Sequence, residues 1–235
     1  MVAKNRLTGL SHSLEMVQLL RNETGRARFP QYILVLIIGN VLSLFLAVSS
    51  SGVMSGSSPS GLSTVDLGMM LMRSVLIVWQ AVLIAQIVIG EYQSRTITVL
   101  FAYPYSRGKI ITSKLLLISS IMVSAHLIST LVQHVAVFFL QSTNPAITFT
   151  MQNPLNIVAV SLSSIFLAFL PMAIGMKFKS TITTIVSSLV IAAIVSNTQG
   201  SSAGILSNPV IAIVLGAIGL AAGIYTYKNM LKEDL

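Results

Sequence analysis

The sequence predicts an all-α, polytopic membrane protein with six transmembrane helices, cytoplasmic termini and an N-terminal amphipathic helix at the interface. Three observations predict it. Of the 235 residues, 54% are hydrophobic and only 9% charged, with a mean hydropathy of +0.86, whereas an ordinary soluble domain carries roughly a quarter charged residues. Six apolar stretches, near residues 31–50, 66–90, 115–140, 155–176, 181–197 and 208–227, read as spans of a hydrocarbon core about 30 Å thick, which takes about 20 residues to cross. The basic residues fall in alternate connections, as topology signals do.

Residues 1–28 form the first unit. Leu7, Leu10, Leu14 and Val17 recur at helical spacing with Lys4, Arg6, His12, Glu15 and Arg21 between them. A helix there lies in the cytoplasmic interface or folds onto the protein's own cytoplasmic side. The segment lacks a continuous apolar core and a small-residue cleavage site, so no cleavable signal is expected. Residues 29–235 form the second unit, a single six-helix domain, because the connections are too short for another fold. Lys4, Arg6, Arg21, Arg26 and Arg28 precede span one, and Arg95, Arg107, Lys109 and Lys114 lie between spans two and three. Lys177 and Lys179 lie between four and five, and Lys228 and Lys232 follow six. Loops 51–65, 141–154 and 198–207 hold neither Lys nor Arg, and Arg73 alone stands inside a span. The positive-inside rule therefore places both termini and the 91–113 loop in the cytoplasm. Topology accounts for the net charge of +8, so no nucleic-acid partner is expected.

Pro30 fits the start of span one, and the Ser/Gly-rich stretch from Ser49 to Gly61 reads as a flexible outer loop. Two spans carry polar stripes. In span two Asp66, Arg73 and Gln80 recur every seven residues, as Ser119, His126 and Gln133 do in span three, so each set lies along one helix face. Such groups face other helices or a water-accessible path rather than lipid. Arg73, Gln80, His126 and Gln133 are thus candidates for lining a substrate path, against the simpler reading as interhelical hydrogen bonds. Asp66 and Arg73 also suit an ion pair snorkelling to the outer end. Pro171, with Gly175 one turn later, predicts a kink in span four. Gly219 and Gly223 have the small-xxx-small spacing that serves packing inside a bundle or between copies.

The 91–113 connection is the most informative segment. A simple joint between spans needs a few polar turn residues, yet this one holds Phe101, Tyr103 and Tyr105 among Arg95, Arg107 and Lys109. Aromatic anchors with arginines are the material of protein–protein contacts. Glu91 stands at the C-terminal end of span two, where an acid opposes the helix dipole and needs a partner. Arg95, four residues on, is in the favourable acid-before-base order. Helix is expected as far as about Ala102, Pro104 turns the chain, and Ser106 caps the helix that becomes span three.

Several function classes are excluded. Cysteine is absent, which removes disulfides and thiolate metal sites. The Gly-x-x-x-x-Gly-Lys-Ser/Thr phosphate loop is absent too, so this chain does not hydrolyse ATP by that route. His12, His126 and His134 form no His-Glu-x-x-His zinc motif. An intramembrane serine hydrolase using His126 or His134 stays open, although no Gly-x-Ser-x-Gly motif singles out a serine. A proton-driven carrier would bury a carboxylate near the membrane centre, whereas Asp66 and Glu91 stand at span ends. No catalytic, cofactor-binding or metal-binding residue is assigned, and energy for any transport is expected from another polypeptide.

Six spans, cytoplasmic termini, the amphipathic N-terminal segment and the 90–114 stretch together resemble the ABC-2 type permeases, membrane subunits of bacterial ABC exporters. Glu91, Thr96, Leu100, Pro104, Ser106, Arg107 and Lys114 match that family's pattern of an acid, a Gly-Thr, a leucine, a Pro-x-Ser-Arg and a Gly/Ser-Lys. Arg95 departs from it, standing where the family has Gly before Thr. The Glu-Ala-Ala loop of ABC importers is not present. The resemblance implies a multi-pass protein of the bacterial plasma membrane, with two permease chains, identical or paralogous, on two separate ATPase subunits that carry the ATP and Mg. It implies that Glu91, Arg95, Phe101, Tyr103, Pro104, Tyr105, Ser106 and Arg107 form an ATPase-coupling element. ATP-driven closure of the ATPases would then move spans one, two and five around a central path. The expected function is export of a hydrophobic or amphipathic compound, such as an antimicrobial peptide or a drug. The alternative from another class is a scaffold or sensor that recruits a cytoplasmic protein without moving a substrate.

Overall fold

The computed structural model describes residues 29–54, 63–93, 107–197 and 203–232. The expected interfacial helix within 1–28 and the segment 94–106 lie outside them. Among the described residues all regular structure is helical: α1 (Phe29–Met54), α2 (Thr64–Gln93), α3 (Arg107–Leu140), α4 (Pro154–Leu167), α5 (Leu170–Phe178), α6 (Thr181–Val195) and α7 (Pro209–Lys232). Five units are long and apolar enough to cross a membrane, namely α1, α2, α3, the broken pair α4 and α5, and α7. The expected fifth span, α6, has 15 residues and rises about 22 Å, less than the roughly 30 Å core.

Local chemistry sets the helix starts. Ser63 accepts from the Asp66 amide at 3.2 Å while the Asp66 carboxylate accepts from the Ser63 amide at 3.3 Å, a reciprocal cap on α2. Asn153 caps α4 ahead of Pro154, and Ser180 caps α6. The loop after α3 docks on the start of α2, with the Thr64 amide donating to the Thr148 carbonyl at 3.0 Å and the Thr148 amide to Thr64 Oγ1 at 3.1 Å.

α2 is the central helix, the most buried of the spans. Its side chains Leu76, Leu83, Ile84 and Ile89 pack with Ile118 and Met122 of α3 and Met172 of α5. On the periphery Ile37, Val41 and Phe45 of α1 and Leu127, Leu131 and Phe139 of α3 are exposed. A soluble protein rarely exposes so large an apolar surface; lipid is the solvent that suits it.

Span four is broken. α4 stops at Leu167 and α5 starts at Leu170, just before Pro171, whose missing N–H cannot serve the Leu167 carbonyl. The Phe169 amide donates to Phe166 at 3.1 Å, which leaves the Ile165 carbonyl without its usual partner four residues on. Gln80 Nε2 of α2 fills that place at 3.0 Å. Gln80→Leu is therefore expected to cost about 1–3 kcal/mol, the desolvation of an unmet buried carbonyl; urea or thermal unfolding of the purified protein measures it.

α7 lies against α4 along a line of glycines. A Cβ at Gly219 would stand 2.3 Å from the Phe166 carbonyl oxygen and 2.5 Å from Leu167 Cα, and one at Gly216 2.8 Å from Ser163 Cα. Gly219 and Gly223 thus serve packing inside this bundle, the first of the two roles their spacing allows.

Candidate functional site

The two helices that carry the 94–106 segment are tied together at its root. α2 loosens there into a π-helical turn at Ala85–Ile89, where the Gly90 amide reaches back to the Ala85 carbonyl. Such turns insert a residue into the ladder and often mark functional sites. Lys114, on the second turn of α3, extends across to it. Its Nζ donates to the Ile87 carbonyl at 3.2 Å and pairs with Glu91 Oε1 at 2.5 Å. The Lys114 side chain is 4% exposed and that of Glu91 23%, so the pair is largely withdrawn from solvent screening. One ammonium thereby binds both a backbone carbonyl of the π turn and the acid that ends α2.

Lys114 adds a partner for Glu91 that the sequence reading did not name. It stands on the neighbouring helix, while Arg95, the expected local partner, lies outside the described residues. Phe101, Tyr103, Pro104, Tyr105 and Ser106 lie outside them as well, and Arg107 is the first residue of α3. Tyr227 of α7 steadies the start of α3, its hydroxyl accepting from Thr112 Oγ1 at 3.2 Å and lying close enough to Gly108 that a Cβ there would meet it at 3.1 Å. From the other side Thr181, at the start of α6, donates to the Gln93 side chain at 3.5 Å. The root of the loop is thus in contact with α3, α6 and α7.

The polar stripes separate by environment. Gln133 is fully buried and donates to Ser43 Oγ at 2.7 Å, while Asn40 of α1 donates to Ser129 Oγ at 3.1 Å. This network joins α1 to α3, and Gln133 lies so near Gly68 of α2 that a Cβ there would be 2.6 Å from its Oε1. His126 Nδ1 lies 2.9 Å from the Met122 carbonyl and His134 Nδ1 2.8 Å from that of Thr130, each one turn back on its own helix. Among the described residues neither imidazole is hydrogen-bonded to a serine, which leaves the hydrolase reading without its geometry.

Arg73 stands apart. It is 7% exposed, its Nε lacks a hydrogen-bond partner, and it lines a cavity of about 260 Å³ with Asp66, Gln152, Asn156, Ser161 and Ser207. Asp66 is taken up by Ser63 and by Gln152 Nε2, so the two residues share a cavity without forming the expected ion pair. An apolar groove of about 590 Å³ runs nearby between α1, α2 and α6, walled by Val35, Val75, Trp79, Val82 and Leu189.

Sequence reading missed Lys114 as the partner of Glu91, and also Asn40, Ser43, Ser129, Gln152 and Asn156. Asn40 was the most accessible of these, an amide in the middle of an apolar span and costly there unless bonded.

Comparison with known proteins agrees with this architecture. Residues 38–232 match the family model described as ABC-2 family transporter protein. The chain is 29% identical, over 231 residues, to the uncharacterized protein YcbO of Bacillus subtilis (strain 168), an alignment covering 93% of this chain and 100% of that one. No solved structure is significantly similar. The protein is a multi-pass membrane protein, of the plasma membrane in bacteria. With apolar helices throughout and a family model spanning most of its length, this chain belongs to the ABC-2 transporter family, as a membrane component that works with an ABC ATPase.

Proposed function

We propose that the chain is the permease subunit of an ATP-driven exporter, which moves a hydrophobic or amphipathic substrate outward. The observation that carries the reading is the Lys114 bridge. A loop gripped by an ATPase does work on the membrane domain only if its displacement passes into the spans, and a rigid tie at its root transmits it. Lys114 couples the two helices leaving the loop, and its second bond ends on the π turn, where the α-helical ladder of α2 is interrupted. Motion there would reach the apolar groove between α1, α2 and α6, the helices at the places of spans one, two and five, which the family resemblance sets around the moving path. The groove is lined mainly by aliphatic side chains and Trp79, which suits an apolar cargo. Two copies of the chain, or one with a paralogue, would complete the path on two ATPase subunits.

The test uses the 94–107 segment. In complex with its ABC ATPase partner, Phe101→Asp or Arg107→Glu is expected to leave the protein inserted while detaching the ATPase or abolishing substrate-stimulated ATP hydrolysis. Normal stoichiometry together with normal stimulated hydrolysis in both variants would remove the loop from coupling. Transport into vesicles with a hydrolysis-dead ATPase separates a transporter from a recruiting scaffold, because transport must then vanish while recruitment persists.

A further inference from the structure

We propose that the polar cavity between α2, α4 and the turn leading into α7 binds the anionic headgroup of an amphiphile, with Arg73 as its counter-ion. A guanidinium is costly to hold at membrane depth, and such residues are ordinarily paired. Arg73 sits nine residues past the start of α2, about 14 Å along the helix, and among the described residues no ion pair or hydrogen bond meets it. The one acid in the cavity is otherwise occupied, since Asp66 accepts from Ser63 on one oxygen and from Gln152 on the other. Asp66 therefore offsets the charge of Arg73 at a distance without supplying hydrogen-bond acceptors to its planar fork. An anion entering the cavity would supply them, in the bidentate geometry that carboxylates and phosphates offer.

The surrounding groups favour the same sign of ligand. α4 presents its first turn to the cavity through Asn156, and α7 begins two residues after Ser207. Neither helix has an acidic residue in its own first turn, so the positive ends of both dipoles face the cavity without an acid on the same helix. Asn156 and Ser161 add neutral donors. The remaining wall includes Met69, Ile157 and Val160, which gives an attached hydrocarbon chain apolar surface. An unpartnered guanidinium between two helix N-termini, with one apolar side, fits a phosphate or carboxylate headgroup carrying an acyl or alkyl chain better than it fits a free anion or a cation.

This inference rests on the exporter reading only in regarding the ligand as cargo; binding itself requires no ATPase. The test measures binding of dodecyl phosphate to the purified full-length protein in maltoside detergent, by native mass spectrometry and thermal shift. Inorganic phosphate and dodecyltrimethylammonium serve as comparisons. Dodecyl phosphate is expected to bind and stabilise, and Arg73→Gln to weaken it about tenfold or more, the loss of a charge-assisted hydrogen bond. Asn156→Asp places a carboxylate in the same cavity and leaves Arg73 buried with an internal acid, so it is expected to fold and to lose binding as well. Equal binding by wild type and both variants would overturn the proposal. So would equal stabilisation by dodecyltrimethylammonium, which would make the chain alone responsible, or by inorganic phosphate, which would make the ligand a free anion. Phe101→Asp is expected to bind dodecyl phosphate normally, so failure of the coupling loop and failure of this site are separate results.

Discussion

Lys114→Met is expected to lower the stability of the membrane domain by about 3 kcal/mol and to uncouple it from its ATPase. Methionine keeps an unbranched apolar stem in the path between α3 and α2, so the loss is that of the charge and its donors. Two groups then lose a contact. The Ile87 carbonyl loses its lysine donor, and Glu91, an acid near a helix C-terminus, loses the ammonium that offsets a placement costing about 0.3–1 kcal/mol. Breaking a buried pair from one side costs about 3–5 kcal/mol; the 23% exposure of the Glu91 side chain puts this pair at the lower end. Glu91→Gln removes only one of the two contacts and is expected to cost less. In a double-mutant cycle of Lys114→Met with Glu91→Gln, unfolding should reveal a coupling well above the roughly 0.5 kcal/mol found between independent sites. The exchange Glu91→Lys with Lys114→Glu should rescue only in part, because a glutamate cannot donate to the Ile87 carbonyl. Full rescue would mean that the backbone contact contributes nothing.

The helices were legible in the sequence because lipid imposes one rule along their whole length: apolar side chains over about 20 residues, with backbone polar groups satisfied inside the helix. The caps at Ser63, Asn153 and Ser180 are local chemistry that residue type allows, though the sequence reading named none of them. What was not legible depended on which helix stands beside which. Glu91 was read as needing a partner, but periodicity supplies candidates only on its own helix, and Lys114 reaches it from 23 residues away on α3. Pro171 located the break in span four, but nothing in the sequence pointed to Gln80 as the residue that meets the exposed carbonyl. Gln80 and Gln133, alike in their seven-residue stripes, are held in interhelical bonds, while Arg73 faces a cavity. Seven-residue spacing selects a face and cannot tell a packed face from an open one. The span count shows a similar limit, because hydropathy over 181–197 marks α6 as a span while its 15 residues make it the shortest apolar crossing candidate.

Gly219→Ala is expected to be the most damaging single-methyl substitution in the bundle. The added carbon would meet the Phe166 carbonyl oxygen at 2.3 Å, the Phe166 carbonyl carbon at 2.7 Å and Leu167 Cα at 2.5 Å, all of them backbone. No rotamer change relieves a clash with backbone, so α4 and α7 must separate, at or above the upper end of the about 1–3 kcal/mol that overpacking costs. Gly175→Ala is the informative contrast. Its Cβ would stand 1.8 Å from Thr184 Oγ1, a closer approach, with 2.8 Å to Ile89 Cδ1; both obstacles are side-chain atoms. Thr184 Oγ1 bonds to the Ser180 carbonyl one turn back; Thr184→Ala removes the nearest obstacle and leaves its own Cβ at 2.9 Å beside the Ile89 methyl. Gly175→Ala should therefore be rescued in part by Thr184→Ala, whereas replacing the Phe166 side chain by alanine should leave Gly219→Ala unrescued. Thermal unfolding of the two single and two double variants decides it, and rescue of Gly219→Ala by Phe166→Ala would show that α4 and α7 touch through side chains rather than backbone. Separation of these helices also opens the break at Ala168 and Phe169, where Gln80 meets Ile165, so Gly219→Ala combined with Gln80→Leu should depart from additivity. That departure would identify the α4–α7 contact as what holds the broken span in register against α2.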